Sequence, residues 1–258
     1  MNHLSIDFST NIKTAADLIR SSKHVVVLTG AGSSTPSGIP DFRSSGSGLW
    51  TRYSPLEVAS LTTFRHQPEF FFEWLRPLAE HILLAKPNAS HIAFAELERN
   101  GNIKTIITQN IDGLHQRAGS QLVIEIHGTL NTLSCIGCYQ QIPAAGYLEP
   151  YIDHGEIPHC PKCNKILKPD VVLFEEQLPF KPWLKAREAV RNCDLLIISG
   201  SSLVVMPVAG LPMMALENRA KIIVINKTPT YIDEESNLVL YGDVAEIIPA
   251  ITAEVIHA

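Results

Sequence analysis

The chain has 258 residues, of which 45% are hydrophobic and 18% charged. This composition supports a buried core and excludes a disordered chain, and the length fits one large domain or one domain with a small satellite. The formal net charge of −5 disfavours nucleic acid as a direct partner, because phosphate binding requires a basic face.

Short apolar runs alternate with helical patterns along the chain. Residues 24–29 form a β-branched run that ends at a glycine, as a buried parallel strand does. Residues 103–108 and 122–126 predict two further strands, and a helical pattern over residues 89–99 precedes the first of them. Aromatic residues and leucines at helical spacing over residues 64–81 predict a helix that belongs to the core or lines a pocket.

Residues 195–216 are the most apolar part of the chain. Glycines and prolines interrupt them, so they predict a strand at 195–199 and a buried helix at 207–219 rather than a membrane span. A fifth strand follows at 221–225. Residues 1–7 do not combine a basic region with an apolar stretch, as a signal peptide does, so we expect a cytoplasmic protein without a membrane partner.

The alternation of strands and helices predicts an α/β fold with a doubly wound, Rossmann-like parallel sheet. Residues 133–168 break the alternation with short turns and prolines, and we expect them to form a small zinc-binding module of the zinc-ribbon type, inserted between strands. The Rossmann-like domain then comprises residues 1–132 and 169–258. Part of the region 40–90 is expected to form a helical cover.

Two Cys-x2-Cys pairs lie in the inserted segment, with 21 residues between Cys138 and Cys160, close to the spacing of zinc ribbons. Each pair can supply two thiolates from one turn, and two pairs complete a tetrahedral shell around Zn²⁺. Disulfides or buried free thiols are the alternative. We expect one structural zinc ion per chain, bound by Cys135, Cys138, Cys160 and Cys163.

A glycine-rich turn, residues 30–35, directly follows the first strand. Glycines there let the backbone approach a pyrophosphate, although such a turn alone is more often just a tight connection. The third glycine and the acidic residue after the second strand, which would mark a nicotinamide dehydrogenase, are missing. A long polar loop with Asp41, Phe42 and Arg43 follows instead, and such loops usually cover ligands.

Polar residues also follow the other predicted strands. Gly200 begins a small-residue turn after the fourth strand, and Asn226 follows the fifth, where a ribose ligand falls in dinucleotide folds. Residues 108–115 either bind a ligand at the sheet edge or cap the next helix. His127 ends another strand; a lone histidine is more often structural, but an ordinary imidazole also suits general base catalysis.

Taken in order, these motifs resemble the sirtuins, the NAD-dependent protein-lysine deacylases, in their compact bacterial and archaeal form. The resemblance extends from about Thr14 to Val244. The matching segments are residues 30–43, 108–112 and 127–128, the two cysteine pairs, residues 200–202, and Asn226.

The resemblance implies that NAD is the co-substrate and that proteins or peptides with acyl-lysine are the partners. It makes His127 the general base and Asn110 the residue that positions the ribose and a water. The acyl group passes to ADP-ribose and nicotinamide is released. The NAD-binding residues implied by the resemblance are Gly30, Ala31, Gly32, Thr35, Asp41, Phe42, Arg43, Gln109, Asn110, Ile111, Asp112, Gly200, Ser201, Ser202, Asn226, Asp243 and Val244.

The resemblance also places the substrate peptide between residues 172–176 and residues 203–205. The contacts implied are Val172, Phe174, Glu176 and Val204. The family usually has Phe-Gly-Glu where this chain has a glutamate, Glu175, in place of the glycine. A bulkier and charged residue thus replaces a permissive backbone position. We expect this change to favour basic residues beside the target lysine.

Acyl preference is read from residues 70–77. Family members that remove acidic acyl groups carry a Tyr-x-x-Arg pair there, and this chain has no such tyrosine. A carboxylate without a partner in an apolar tunnel is costly. We therefore expect acetyl or longer apolar acyl groups, with Arg76 turned away from the tunnel by the Pro77 that follows it.

Two other functions remain open at this point. The same cationic sugar could be captured by a protein nucleophile, which would make the chain a protein mono-ADP-ribosyltransferase. Alternatively, the chain could be an NAD-sensing module without turnover. The presence of Asn110, Asp112 and His127 together favours deacylation.

Overall fold

A computed structural model describes residues 2–41 and 54–257, with side chains from residue 8 onward. The helices are α1 (Asn2–Ser21), α2 (Pro55–Val58), α3 (Leu61–His66), α4 (Pro68–Leu84), α5 (Ala89–Arg99), α6 (Leu114–Arg117), α7 (Ala145–His154), α8 (Phe180–Asn192), α9 (Leu211–Glu217) and α10 (Val244–His257). The strands are β1 (Val25–Thr29), β2 (Ile103–Thr108), β3 (Val123–Glu125), β4 (Gly128–Cys135), β5 (Gln141–Pro143), β6 (Leu167–Val171), β7 (Leu195–Ser199), β8 (Lys221–Asn226) and β9 (Leu238–Tyr241).

Six parallel strands form the main sheet, in the order β3-β2-β1-β7-β8-β9. This is the doubly wound order: the chain adds strands outward on one side from β1 to β3 and then on the other side from β7 to β9, so the strand order reverses between β1 and β7. Every residue of these two strands is buried, which explains their continuous apolar sequence. Thr29 pairs with both Thr108 and Ser199, so the carboxyl ends of three strands lie at one level. The predicted fold class is confirmed.

Helices cover both faces of this sheet. On one face α1, α5 and α10 bury a cluster that includes Phe94 and Ile251, and on the other α8 and α9 bury Val190 and Leu211. The apolar region near residue 211 thus packs on the sheet. None of the helices in the described ranges is long and apolar enough to span a membrane.

Some predicted elements differ in detail. The helical pattern over residues 64–81 belongs to two helices. Helix α3 ends before Gln67, and α4 starts with Pro68 in its first turn. The helix predicted at 207–219 is a 3₁₀ turn, Val208–Gly210, followed by α9. Strand β9 was not predicted: it is a four-residue edge strand, and so short an apolar run does not by itself distinguish a strand from other structure.

Helices α2, α3 and α4 form a cover that packs on the inserted segment. Phe72 contacts Phe64, Phe71 and Tyr151 edge to face, and the Tyr151 hydroxyl donates to the Phe72 carbonyl. Burial raises the pKa of Tyr151. This aromatic cluster joins α4 of the cover to α7 of the inserted segment.

The inserted segment contains a second, antiparallel sheet in the order β5-β4-β6. Strand β4 starts at Gly128 and β6 ends at Val171, so the small sheet reaches beyond residues 133–168 on both sides. A Cβ on Gly128 would lie 1.9 Å from the Asp170 carbonyl oxygen, so β4 and β6 touch most closely where they leave the main sheet. The division of the chain into domains at 133 and 168 stays a prediction.

Four thiols meet at the turns of this small sheet: the Sγ atoms of Cys135, Cys138, Cys160 and Cys163 lie within 4.8 Å of one another. The distance between the Sγ atoms is 3.4 Å for Cys135 and Cys163 and 3.7 Å for Cys138 and Cys160. Four sulfurs at 2.3 Å from one zinc ion are separated by about 3.8 Å, so the cluster fits the metal, whereas a disulfide requires about 2.05 Å.

The turn after β4 favours the thiolate form of one of the four proposed ligands, Cys135. The amides of Cys138 and Gly137 donate to the Sγ of Cys135 at 3.4 and 3.3 Å. These hydrogen bonds, with that of Cys138 the largest cause, lower the pKa of Cys135 to about 6. Zinc would supply a structural cross-link here, because the four thiolates leave no coordination position for a substrate.

We predict that Cys138→Ala loses zinc and the folded inserted segment together, since this small sheet has little core of its own. Cys193→Ala is the matched control, because Cys193 is buried against the main sheet and lies outside the cluster. Metal content and near-ultraviolet circular dichroism measure both effects. A metal-free Cys138→Ala protein with native dichroism would contradict a structural role for zinc.

Candidate functional site

A cavity of about 950 Å³ opens at the carboxyl ends of the parallel strands, beside the turns that follow β1 and β7, and continues beneath α4. This is the switch point at which doubly wound sheets bind their ligands. Within the described ranges, all but two of the residues predicted to bind NAD or the peptide, or to act in catalysis, line this one cavity. The exceptions are Asp243 and Val204, while Phe42 and Arg43 lie outside the described residues.

Two glycine turns interlock at the centre of the cavity. The amide of Gly32 donates to the Gly200 carbonyl at 2.8 Å, and a Cβ on Gly30 or Gly32 would lie 2.9 Å from that same oxygen. Gly200 has a φ of +59°, and a Cβ there would lie 2.3 Å from the Ser33 amide nitrogen. The contact between the two turns therefore itself requires these glycines.

Asn110 and Asp112 form a buried polar network with Ser34. The Asn110 side-chain amide donates to the Gly30 carbonyl at 3.0 Å and to the Ser34 hydroxyl at 2.9 Å. Ser34 in turn donates to one oxygen of Asp112 at 2.7 Å, and the other oxygen accepts the Leu114 amide at 2.8 Å. Burial raises the pKa of Asp112, while these two hydrogen bonds oppose the rise.

Ser34 is a site residue that sequence reasoning missed, although it lies within the motif that carried the resemblance. Its hydroxyl contacts Asn110 and Asp112, which lie 76 and 78 positions further along the chain. Nothing in the local pattern of residues 30–35 indicates such a contact. Serine in a turn also has a common local explanation, namely bonding to nearby backbone.

A second buried chain of hydrogen bonds lies behind this network. Thr29 donates to the Thr108 hydroxyl at 2.9 Å, and Thr108 accepts the Asn110 amide at 3.1 Å. Because the single hydroxyl hydrogen of Thr29 is used, Nε2 of His115 must donate to it, at 3.1 Å. Burial lowers the pKa of His115 well below its usual value. The ring of His91 contacts the ring of His115, and burial lowers the pKa of His91 to about 4. Both imidazoles are therefore neutral and structural.

His127 lies between β3 and β4 and faces the same cavity as Asn110. Its Nδ1 is 3.1 Å from the Gln109 carbonyl oxygen, which can only accept. Nδ1 therefore carries the proton, and the lone pair of a neutral imidazole is on Nε2. This hydrogen bond fixes the tautomer that a general base requires.

At the far end of the main sheet, Asn226 and Lys227 line the cavity. The side-chain nitrogen of Asn226, Nδ2, donates to the Thr228 and Ser201 carbonyls at 2.8 and 3.3 Å. It therefore joins the end of β8 to the turn after β7. The carboxylate of Asp243 lies behind Lys227, in an ion pair of 2.8 Å. Lys227 was not predicted, because no pattern marks a lysine that follows a strand as a ligand-facing residue.

The cavity continues as an apolar channel along α4. The lining side chains recur at helical spacing over about three turns, or roughly 16 Å at 1.5 Å per residue. Opposite them lie Ile39, Ile111 and Leu173. The residues of α4 in this wall are Phe71, Trp74, Leu75, Leu78 and Ile82.

Arg76 stays out of this channel, but the reason predicted from the sequence is wrong. Helix α4 continues through Pro77 without ending, so the proline does not redirect the segment. Arg76 instead lies on another face of the helix, where its guanidinium donates to the carbonyls of Ile152 and Asp153 at 2.7 and 3.1 Å. Within the described residues, the channel wall on α4 is therefore apolar.

The predicted peptide contacts divide between cavity wall and surface. Val172, Phe174 and Glu176 line the cavity, whereas Val204 is 62% exposed and only its neighbours Val205 and Met206 reach the wall. Glu176 accepts the Leu173 amide and forms an ion pair of 2.9 Å with Lys168. The charge of Glu176 is therefore already balanced within the protein.

Comparison with known proteins matches this chain to one family. The Sir2 family model matches residues 30–207, more than half of the chain. The NAD-dependent protein deacylase 2 of Archaeoglobus fulgidus is 45% identical over 245 residues, which cover 95% of this chain and 96% of that protein.

Two solved structures extend the match to the fold. A Sir2–p53 peptide–NAD⁺ complex has 37% identity and a TM-score of 0.86, and covers 94% of this chain and 98% of its own. Sir2Af2 bound to a myristoylated histone peptide has 40% identity and a TM-score of 0.81, and the match covers 95% and 96% of the two chains. The chain belongs to the Sir2 family, the sirtuins, as its motifs predicted.

Proposed function

We propose that this protein is an NAD-dependent protein-lysine deacylase, which transfers the acyl group of a modified lysine to ADP-ribose and releases nicotinamide. The observation that carries the proposal is that one cavity joins the interlocked glycine turns, the Asn110–Asp112 network, His127 and an apolar channel. Glycine turns suit a dinucleotide, and the channel suits an acyl chain. His127 lies in the same cavity, as a base acting on both would have to.

The residues of the network hold the substrates in a reactive arrangement. Asp112 binds the carboxamide of nicotinamide, and Ser34 with the Leu114 amide fixes the carboxyl group for that contact. Asn110 positions the ribose and the reacting water. Binding energy spent on holding the ring out of its relaxed position favours cleavage of the glycosidic bond.

His127 then acts on the ribose. The acyl oxygen of the substrate lysine bonds to the sugar carbon that nicotinamide leaves. Nε2 of His127 takes a proton from the ribose hydroxyls, so the 2′-oxygen can attack the acyl carbon. The lysine amine then leaves the acyl carbon and the positioned water adds to it. The bond from that carbon to its original oxygen breaks, so this oxygen stays on the sugar carbon as a hydroxyl and the acyl group stays on the 2′-oxygen, as O-acyl-ADP-ribose.

The partners proposed are proteins or peptides with acyl-lysine, in keeping with the peptides bound to the solved relatives. Phe42 and Arg43, the proposed shield of the sugar and pyrophosphate ligand, stay predictions from the sequence. So do a cytoplasmic location and the absence of nucleic acid and membrane partners.

Release of nicotinamide tests the proposal against its two alternatives. A deacylase releases nicotinamide only with an acylated peptide and returns the unmodified lysine. A mono-ADP-ribosyltransferase would add the mass of ADP-ribose to protein, and an NAD-sensing module would bind NAD without releasing nicotinamide.

We predict that His127→Ala lowers kcat for peptide deacylation by about 10²-fold or more, the loss expected of a positioned base, with NAD affinity largely intact. Nicotinamide release and deacylated peptide are measured together, with NAD titrated separately. The matched control is His154→Ala, an exposed histidine at the end of α7. Near-normal turnover by His127→Ala would overturn the assignment.

We also predict that kcat/KM for acetyl- or longer apolar acyl-lysine exceeds that for succinyl-lysine by about tenfold or more, or ~1.4 kcal/mol. The channel offers a succinyl carboxylate no partner on α4, and desolvation of an unpaired anion is costly.

Two variants sharpen this measurement. Leu78→Trp fills the channel, so it should lower turnover of long acyl chains while acetyl turnover stays within about twofold. Arg76→Gln should leave the ratio of acetyl to succinyl turnover unchanged, because Arg76 is bonded outside the channel. Equal succinyl turnover by the native protein, or a changed ratio in Arg76→Gln, would contradict the apolar wall.

A further inference from the structure

Glu175 occupies a turn position that normally requires glycine. The turn runs from Leu173 to Glu176, closed by a hydrogen bond of 3.1 Å from the Glu176 amide to the Leu173 carbonyl. Glu175 is its third residue and has a φ of +75°. Turns with a positive φ at this position strongly favour glycine, because a Cβ is strained there. A glutamate here accepts a backbone strain that a glycine would avoid.

The carboxylate of Glu175 is directed to helix α3. One oxygen, Oε2, accepts both the amide of Thr62 at 2.9 Å and the Thr62 hydroxyl at 2.7 Å. These two bonds lower the pKa of Glu175, with the hydroxyl bond the largest cause. The carboxylate is thus charged at neutral pH and already has partners within the protein.

The first amides of α3 are accounted for by this contact and its neighbours. An α-helix leaves its first amides without partners inside the helix. The Leu61 amide donates to the Phe174 carbonyl at 3.0 Å, and the Thr63 amide to the Ser60 hydroxyl at 3.0 Å. Glu175 supplies the acceptor for Thr62 between them. A glycine at 175 would leave the Thr62 amide without this acceptor.

The same contact joins the two walls of the peptide cleft. The Phe174 amide donates to the Ala59 carbonyl at 2.9 Å, which adds to the bond from Leu61. Ala59, Phe174 and Glu175 all line the cavity. Any displacement of α3 therefore moves the wall against which the substrate peptide is expected to lie.

We propose that Glu175 is a positioning residue for the acyl-peptide, whose carboxylate clamps α3 to the turn 173–176 and so holds the cleft wall in its binding conformation. The inference rests on the proposed function, because it assigns Glu175 a part in peptide binding. It replaces the expectation that Glu175 selects basic residues beside the target lysine, since the carboxylate serves Thr62 instead.

Two substitutions separate clamping from recognition of charge. Glu175→Ala removes the acceptor but keeps a Cβ, so backbone strain is unchanged, whereas glycine would alter both. Glu175→Gln removes the charge but keeps an oxygen that can accept both Thr62 bonds. Glu217→Ala, which removes an exposed carboxylate at the end of α9, is the control.

Steady-state kinetics are measured with two acyl-peptides, one with basic and one with neutral residues beside the acyl-lysine. We expect Glu175→Ala to raise KM for both peptides about tenfold, as misplacement of a binding wall does, with kcat and KM for NAD within about twofold. Glu175→Gln and the control should stay within about twofold of the native protein. A merely structural role would lower kcat through loss of folded enzyme and leave KM unchanged.

Three outcomes would overturn the clamp: an unchanged peptide KM in Glu175→Ala, an equal loss in Glu175→Gln, or a loss confined to the basic peptide. Hydrogen exchange at the Thr62 amide provides a readout that does not depend on activity. We expect faster exchange in Glu175→Ala and near-native exchange in Glu175→Gln. If the native protein released no nicotinamide, the proposed function would fail, while this exchange measurement would still test the clamp.

Discussion

The contact between the turns after β1 and β7 is the constraint on which the rest of the site depends. The Gly32 amide donates to the Gly200 carbonyl at the point where the strand order reverses, and no side chain fits between the two turns. This contact sets the floor of the crevice, and Asn110 is bonded to the first turn through the Gly30 carbonyl. A larger residue at Gly32 or Gly200 would therefore displace the polar network as well as the backbone proposed to bind the pyrophosphate.

The remaining walls come from parts of the chain that have little core of their own. The cover of α2, α3 and α4 packs on α7 of the inserted segment through Phe72 and Tyr151, and the small sheet of that segment has a cysteine cluster suited to zinc. Phe174 and Glu175 tie α3 to the cleft wall. The apolar channel lies where these three parts meet over the sheet, so we expect loss of the metal to disturb the proposed acyl site through packing.

The fold could be predicted from the sequence where a residue's role follows from its neighbours. The buried strands β1 and β7 are continuous apolar runs, and the cysteine spacing indicates a metal cluster. The edge strand β9 was missed because its apolar run is only four residues long, too short to identify a strand by pattern alone. Ser34 and Lys227 were missed because their contacts, with Asn110 and Asp112 and with Asp243 respectively, are distant in sequence. For Arg76 the prediction was right in direction but wrong in cause, since helical register and not Pro77 decides where it points.

Oxygen transfer during a single turnover tests most directly the claim that this cavity passes an acyl group to ADP-ribose. The reaction is run in heavy-oxygen water with an acetylated peptide and NAD, and the products are analysed by mass spectrometry. The account predicts one heavy oxygen in the acyl group of O-acyl-ADP-ribose and none at the sugar carbon that carried nicotinamide. Labelled free acetate, or ADP-ribose labelled at that carbon with the peptide still acetylated, would contradict it.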